Sequence, residues 1–345
     1  MGLYNVEIFR RSEYICSTQL GELEYKEDYL SPEKNKIKTG QQAVTAKEGD
    51  YIRVRGTDIE HIGIVTQYDD TKTERVITYE SFLTIFDVEI FCDPSELENT
   101  TLENLIAKKI REYFIENEDS LQNIPGLTVE VLSGTAGSIE LEKNICNLLD
   151  DIIIPIFAAY QVVVEPVWNM QNRTVTLQIM KAQQIRKTIE TTLPNIFSKN
   201  IVIKKTKSNL NKVTVINEEN TEEKVDVYRT TSNEITTENR DRITPVAFEV
   251  MTTKTGKDKT FQETAIEKAG AKLKKAEYEN LIELEMIVGD SLVQPGEILL
   301  GQEVNVIDSG EVYKSILSGR QIKKNKETLV FGTIRIDLTK SIRRN

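Results

Sequence analysis

The 345-residue chain predicts an α+β, β-rich fold built from several units. Short runs in which apolar and polar residues alternate, broken by Gly and Asp turns, fill residues 1–94 and most of the last quarter. Helical patterns with capping signatures lie between these strand-rich regions. No repeat of 20–50 residues and no low-complexity tail is present.

In order, residues 4–9 read as a strand and 14–25 include a second, with Gly21 as a candidate bulge. Residues 26–40 are charged and hold Pro32 and Gly40, so they read as a loop. Residues 43–45, 51–55, 59–66, 75–79 and 82–91 continue the strands, with turns at Glu48-Gly49-Asp50 and Gly56. This spacing predicts a small barrel or sandwich over 1–94. Asp93-Pro94-Ser95 marks the first boundary.

Thr100 and Glu103 then form a capping box for a helix with Leu102, Leu105, Ile106, Ile110, Tyr113 and Phe114 on one face. Residues 127–132 are a strand. A second helix is expected from Ser138, carrying Leu141, Ile145, Leu148, Leu149, Ile152, Ile153, Ile156 and Phe157 and kinked by Pro155. Residues 161–168 and 174–180 make a hairpin around Asn172-Arg173, completing an α+β unit over 95–183.

Residues 184–240 return to strand character. Residues 200–205 and 212–217 suggest a hairpin around Ser208-Asn209, followed by an acidic loop, 218–223, and a strand, 225–229. After the polar stretch 230–242, residues 246–252 read as a strand and 253–258 as a turn. Thr260 with Glu263 caps a third helix that packs through Ala265, Ile266, Ala269, Leu273 and Ala276. The last quarter runs 281–288, turn Gly289-Asp290, 299–307, turn Asp308-Ser309-Gly310, 312–319, and a final hairpin of 320–322 with 329–340.

A net charge of −11 and a pI near 5.0 exclude the basic face that general nucleic-acid binding needs. Cys16, Cys92 and Cys146 are odd in number and form no CxxC pair, so reduced, partly buried thiols are expected. The N-terminus has neither the basic region nor the apolar core of a signal peptide, so export by that route is not expected. The most apolar run, 152–164, is interrupted by Pro155 and flanked by Asp150-Asp151, and it is shorter than the roughly 20 residues of a membrane span.

Catalytic signatures are missing. His61, the sole histidine, cannot make a two-histidine metallopeptidase site, and none of the three cysteines sits in a nucleophile motif. There is no GxSxG, and Thr253-Lys254-Thr255-Gly256-Lys257 lacks the upstream glycine and following hydroxyl of a phosphate loop. Asp69-Asp70, Asp150-Asp151 and Glu218-Glu219 read as solvated surface charge, with no spacing for calcium or magnesium. Lys204-Lys205-Thr206-Lys207 and Arg343-Arg344 read as contacts to an acidic neighbour, and Trp168 as core rather than a sugar platform. No catalytic, cofactor-binding or metal-binding residue is therefore assigned.

The motifs LIELEMIVGD, LLGQEVNVIDSGEVYKSILSGRQI and FGTIRIDLTKSIRR resemble the C-terminal part of the tail-hub proteins of phages and prophages of Gram-positive bacteria, a family often labelled prophage tail endopeptidase. The N-terminal order of strand, Gly turn and Ile62-Gly63-Ile64-Val65-Thr66 is similar to the first barrel of such hubs. The resemblance implies two small tube-like β-barrels decorated by α+β units. The first spans 1–94, the α+β unit 95–183, the second barrel 184–240 with 279–345, and a helix-bearing insertion 241–278. It further implies a homotrimer at the virion tail tip, made in the bacterial host cytoplasm. Three subunits would give six barrels matching a six-fold tail tube. Expected partners are the tube, the distal tail protein, the tape-measure protein and receptor-binding or fibre proteins.

DNA, with about one charge per 1.7 Å, would pass through the channel without specific binding, repelled by an acidic lumen. In longer relatives a peptidoglycan-degrading or fibre region follows the hub, so this sequence is expected to be the structural module alone. The readings left open are a peptidoglycan-degrading tail endopeptidase and a carbohydrate- or receptor-binding tail module.

Overall fold

The computed structural model describes residues 4–333 except 22, 40–43, 57–59, 72–73, 98–99, 140, 142–143, 184–186, 204–209, 233, 242–246, 257–258, 274–277, 279, 288–296 and 325. The architecture is β-rich with several sheets. The expected turn Gly289-Asp290, the strand at 334–340 and the basic runs at 204–207 and 343–344 lie outside the described residues.

The N-terminal strands are β1 (Tyr4–Arg10), β2 (Glu13–Leu20), β3 (Glu24–Asp28), β4 (Asn35–Lys38), β5 (Tyr51–Arg55), β6 (Glu60–Asp70) and β7 (Arg75–Ser81). Six of them make a sheet in the order β2-β1-β5-β6-β7-β4. Val6, Ile8, Ile37, Ile52, Val54, Val65 and Ile77 point into one core. Gly63 on β6 is required there, because a Cβ would lie 2.4 Å from the Glu80 carbonyl oxygen.

Residues 26–40 are not the expected loop. Asn35 and Ile37 are buried while Lys36 and Lys38 are exposed, so these four residues alternate as a strand should. The strand expected within 14–25 is β2, but Gly21 is no bulge in it: the chain leaves the first sheet there, and β3 pairs elsewhere. The expected strand at 82–91 is instead a helical turn, α1 (Phe82–Ile85), followed by β8 (Glu89–Phe91).

The middle unit holds α2 (Leu102–Phe114), β9 (Leu127–Val131), β10 (Ile145–Asn147), α3 (Ile154–Tyr160), β11 (Val162–Asn169) and β12 (Thr174–Lys181). β11-β12-β9 form one sheet and β8 pairs with β10. Thr101, not Thr100, caps α2. That shift frees Glu103 from the expected capping box. Its buried carboxylate accepts from the Thr135 N–H (2.6 Å), the Thr135 hydroxyl (2.6 Å) and the Ser133 hydroxyl (2.8 Å) instead. The helix expected from Ser138 begins only at Leu148, as a π-helical turn over Leu148–Ile153 capped by Asn147. Pro155 stands in the first turn of α3, directly after this segment, where the helical run passes from π to α geometry.

The second half comprises β13 (Lys187–Glu190), β14 (Ile196–Ile203), β15 (Leu210–Asn217), β16 (Lys224–Arg229), β17 (Ile235–Thr236), β18 (Ala247–Thr253), α4 (Phe261–Leu273), β19 (Asn280–Ile287), β20 (Glu303–Asp308), β21 (Glu311–Lys323) and β22 (Lys326–Phe331). One sheet runs β13-β20-β21-β22-β19-β14. Its two edge strands are consecutive in the chain, and every strand feeds a single core around Ile189, Ile282, Leu284, Val306, Leu317 and Phe331. The sheet therefore wraps on itself like a barrel, without a closed hydrogen-bonded ring among the described residues.

β15 and β16 do not join that sheet, and β14 does not pair with β15 as expected. They form a separate sheet, β17-β16-β15-β18, covered by α4 through Phe261, Ala265, Ala269 and Leu273. Sheet pairing thus groups 210–273 together rather than dividing the chain at 240. The capping box of α4 forms as expected. The Glu263 carboxylate accepts from the Thr260 N–H (2.8 Å), and the Thr260 hydroxyl accepts from the Glu263 N–H (3.2 Å).

Candidate functional site

The site of interest is the junction where the two large sheets and the middle unit meet. It is built on β21, which the sequence breaks at Gly319 but which runs unbroken from Glu311 to Lys323. Its first half pairs with β20 across the Ser309-Gly310 turn, both residues having positive φ. At Ser318-Gly319 it changes partners. The Ser318 hydroxyl bonds the carbonyls of Val330 (3.1 Å) and Gly332 (2.5 Å), and the register shifts. From Gly319 onward β22 lies on one side and β3 on the other, with Gly319 opposite Asp28 and Lys323 opposite Glu24. β3 thus stitches the N-terminal region to the C-terminal sheet, and Ile322 enters the N-terminal core.

Asn35 closes the other side of β3. Its amide donates to the Lys26 carbonyl (2.9 Å) and accepts from the Lys26 N–H (2.7 Å), doing with a side chain what a neighbouring strand would do with backbone.

Charged groups are buried along this seam. Arg320 lies 2.7 Å from Glu327 without the alignment of a hydrogen bond, and its guanidinium donates to the Ile298 carbonyl (2.8 Å). Burial raises the Glu327 carboxyl. It also raises Glu27 on β3 and Glu165 on β11. His61 on β6 is 4% exposed and packs against Tyr25 and Tyr79, ring centroids 5.2 and 5.5 Å away. Desolvation lowers its imidazole to about 4, so it is neutral near pH 7. A cavity of about 240 Å³ opens among these groups, between β3, β6, β11 and the turn at Leu299-Leu300.

The other residues singled out in the sequence are dispersed. Cys92 and Cys146 are buried beside the β8–β10 pair, and desolvation raises both thiols, Cys146 to about 11. Neither is a thiolate near neutrality, and His61 lies on another element. Cys16 sits on β2 and donates to the Thr45 carbonyl (3.4 Å). Asp70 pairs with Arg75 (3.1 Å), Asp150-Asp151 lie in the first turn of the π-helical segment, and Glu218-Glu219 follow β15. Trp168 is core: it packs on Phe9 at 4.2 Å with the Arg53 guanidinium 6.0 Å from its ring. Sequence reasoning missed the seam carboxylates Glu27, Glu165 and Glu327, since nothing local distinguishes them from surface charge.

Among the exposed apolar side chains, two pairs lie side by side on strands. Phe91 and Ile145 stand opposite each other across β8–β10. Phe248 and Val250 project from β18, the edge strand of the α4-covered sheet, on the face away from the helix. No helix among the described residues is long and apolar enough to cross a membrane.

No protein-family model matches the sequence, and no curated protein matches it. Solved structures do match. The 43 kDa tail protein of prophage MuSo2 from Shewanella oneidensis aligns with a TM-score of 0.55 at 13% identity, over 96% of this chain and 98% of that one. A prophage tail protein from Listeria monocytogenes EGD-e aligns at 0.53 and 12% identity, over 98% and 97%. A chain of the phage P2 baseplate in its activated conformation aligns at 0.48 and 12% identity, over 98% and 100%. The chain has the fold of these prophage tail proteins.

Proposed function

We propose that the protein is the structural hub of a phage or phage-like tail tip. It would assemble as a homotrimeric ring around the tail channel and join the tail tube and distal tail protein to the receptor-binding apparatus. The observation that carries this reading is the end-to-end match of fold with prophage tail proteins, over nearly the whole length of both chains. The two large sheets stitched by β3 and β21 support it, because a joined pair of modules in each subunit is what a ring of six modules per trimer requires. The exposed Phe91–Ile145 and Phe248–Val250 patches supply apolar surface for neighbours. A stable ring of this kind buries on the order of 2,000 Å² or more at each contact.

The protein acts, in this reading, by geometry rather than chemistry. The neutral His61, the protonated thiols and the buried Trp168 favour it over a wall hydrolase or a sugar-binding module. Light scattering should give three times the 39.3 kDa chain mass, and negative stain a ring with a central hole. A monomer that also fails to assemble on isolated tail tubes overturns the proposal. Release of fragments from purified cell walls would favour the hydrolase.

A further inference from the structure

Between β4 and β3 the protein leaves a groove of about 540 Å³. β4 ends the N-terminal sheet and is bonded to β7 alone, while β3 is bonded to β21 alone. Each strand therefore turns one backbone edge outward. The Thr39 N–H bonds the Arg75 carbonyl (3.0 Å), and alternate residues of an antiparallel pair bond inward, so Lys36 and Lys38 direct their N–H and C=O groups away from β7. On β3 the Tyr29 N–H and the Leu23 carbonyl bond β21, so Glu24 and Lys26 direct theirs the other way. Asn35 takes up the Lys26 groups at one end. The backbone groups of Glu24, Lys36 and Lys38 have no partner among the described residues.

The floor of the groove is apolar, made by Leu20 and the buried Leu23 and Ile37. Its walls are basic, on a chain of net charge −11. Five lysines line it against two glutamates. Lys26 pairs with Glu33 (2.5 Å), and Lys323 takes up Glu24 (3.1 Å). Lys34 and Lys38 pair with Glu80 (2.6 Å) and Glu74 (3.4 Å), which lie outside the lining. Lys36 and Lys324 are exposed and have no ion pair among the described residues. Lys324 is anchored at the groove by its N–H, which bonds the Leu23 carbonyl (3.1 Å).

Lysines along a free strand edge deter indiscriminate pairing. The same lysines favour a strand of opposite charge. Side chains of an extended segment alternate between two faces, so one set would meet the apolar floor and the other Lys36 and Lys324. Residues Lys34 to Lys38 span about 13 Å, room for a strand of about four or five residues. A nucleic-acid strand would bring charge but no amides for the two edges. We propose that this groove binds an extended segment of a partner protein in which apolar and acidic residues alternate, added to the N-terminal sheet at the edge of β4. Such a segment would bind whether or not the protein forms a ring.

The fluorescein-labelled peptide VEVEVE should bind the full-length protein saturably in fluorescence anisotropy. VKVKVK, with the same alternation and opposite charge, should bind about tenfold more weakly or worse. Lys36→Glu and Lys324→Glu should each weaken VEVEVE about tenfold, because an attraction becomes a repulsion of like size. Both side chains are exposed and unpaired, so the variants keep the fold. In hydrogen exchange, bound VEVEVE should slow the amides of Lys36 and Lys38 and leave those of Ile37 and Thr39, already bonded to β7, unchanged. An unsaturable response, equal affinity for VKVKVK, unchanged affinity in both variants, or unslowed Lys36 and Lys38 amides overturns the proposal. Tighter binding of labelled hexathymidylate than of VEVEVE also overturns it and gives the groove to nucleic acid. Dimerisation that Lys36→Glu abolishes, in a protein that ignores the peptide, overturns it in favour of a second copy of the chain.

Discussion

His61 is read from sequence as an isolated strand residue, and its environment turns it into a stability switch. The unfolded imidazole takes its proton near pH 6.5, whereas the folded one, desolvated between Tyr25 and Tyr79, resists until about 4. Since the unfolded chain binds the proton first, this contribution is fully present above 6.5 and is lost as pH falls through 4. Its size is up to about 3 kcal/mol. Urea denaturation of wild type and His61→Phe should therefore show the difference between them changing by about that amount between pH 6.5 and 4; a constant difference would mean the imidazole is not desolvated. Glu27 and Glu165 act with the opposite sign. Burial raises both carboxyls, so their stabilisation is greatest in acid and is lost as pH rises through the folded values. Glu103 shows how one residue of register changes a role. The motif Thr100–Glu103 is present in the sequence, but with Thr101 as the cap the third helical position belongs to Asn104, and Glu103 turns to Ser133 and Thr135 instead.

At the scale of elements, the strands most visible in the sequence pair locally, and the ones that matter for assembly pair at long range. Asn35 is the clearest case. Replacing it with Ala removes both bonds to the Lys26 backbone, with a cost of about 1–3 kcal/mol. Hydrogen exchange of the Lys26 amide should quicken by tenfold or more, and unaltered exchange would show that β3 is held by β21 alone. The capping box of α4 is separable from this seam. Thr260→Ala should destabilise α4 by about 1 kcal/mol, with faster exchange over β15 and β16, which α4 covers, and no change at Lys26. The loop predicted at 26–40 became β3 and β4 because a single buried apolar side chain in each, Tyr25 or Ile37, suffices when the partner strand is already in place.

For the whole molecule, β21 is the member through which the two large sheets are joined. The Arg320–Glu327 pair sits on that strand and its neighbour β22, deep in the seam. Arg320→Met leaves Glu327, 1% exposed, as an unpaired buried charge, and breaking such a pair costs about 3–5 kcal/mol. Adding Glu327→Leu should restore most of that loss in thermal denaturation. Failure of the second substitution to rescue the first would locate the cost in the bond from Arg320 to the Ile298 carbonyl. A rigid seam also suits the proposed ring, since a subunit that flexed between its two sheets could not hold six modules at equal spacing.

The β-rich class, the Ser309-Gly310 hairpin and the α4 capping box were determined by the sequence alone, because each depends on residues a few positions apart or on a two-residue periodicity. Tertiary structure alone decided that β3 belongs to β21, that β15 and β16 leave for a sheet of their own, and that Glu27, Glu165 and His61 share a cavity. Alternation marks which side chains of a strand face inward. It carries no information about which strand lies alongside, because backbone hydrogen bonds are the same for every partner and only the packing of distant side chains selects one.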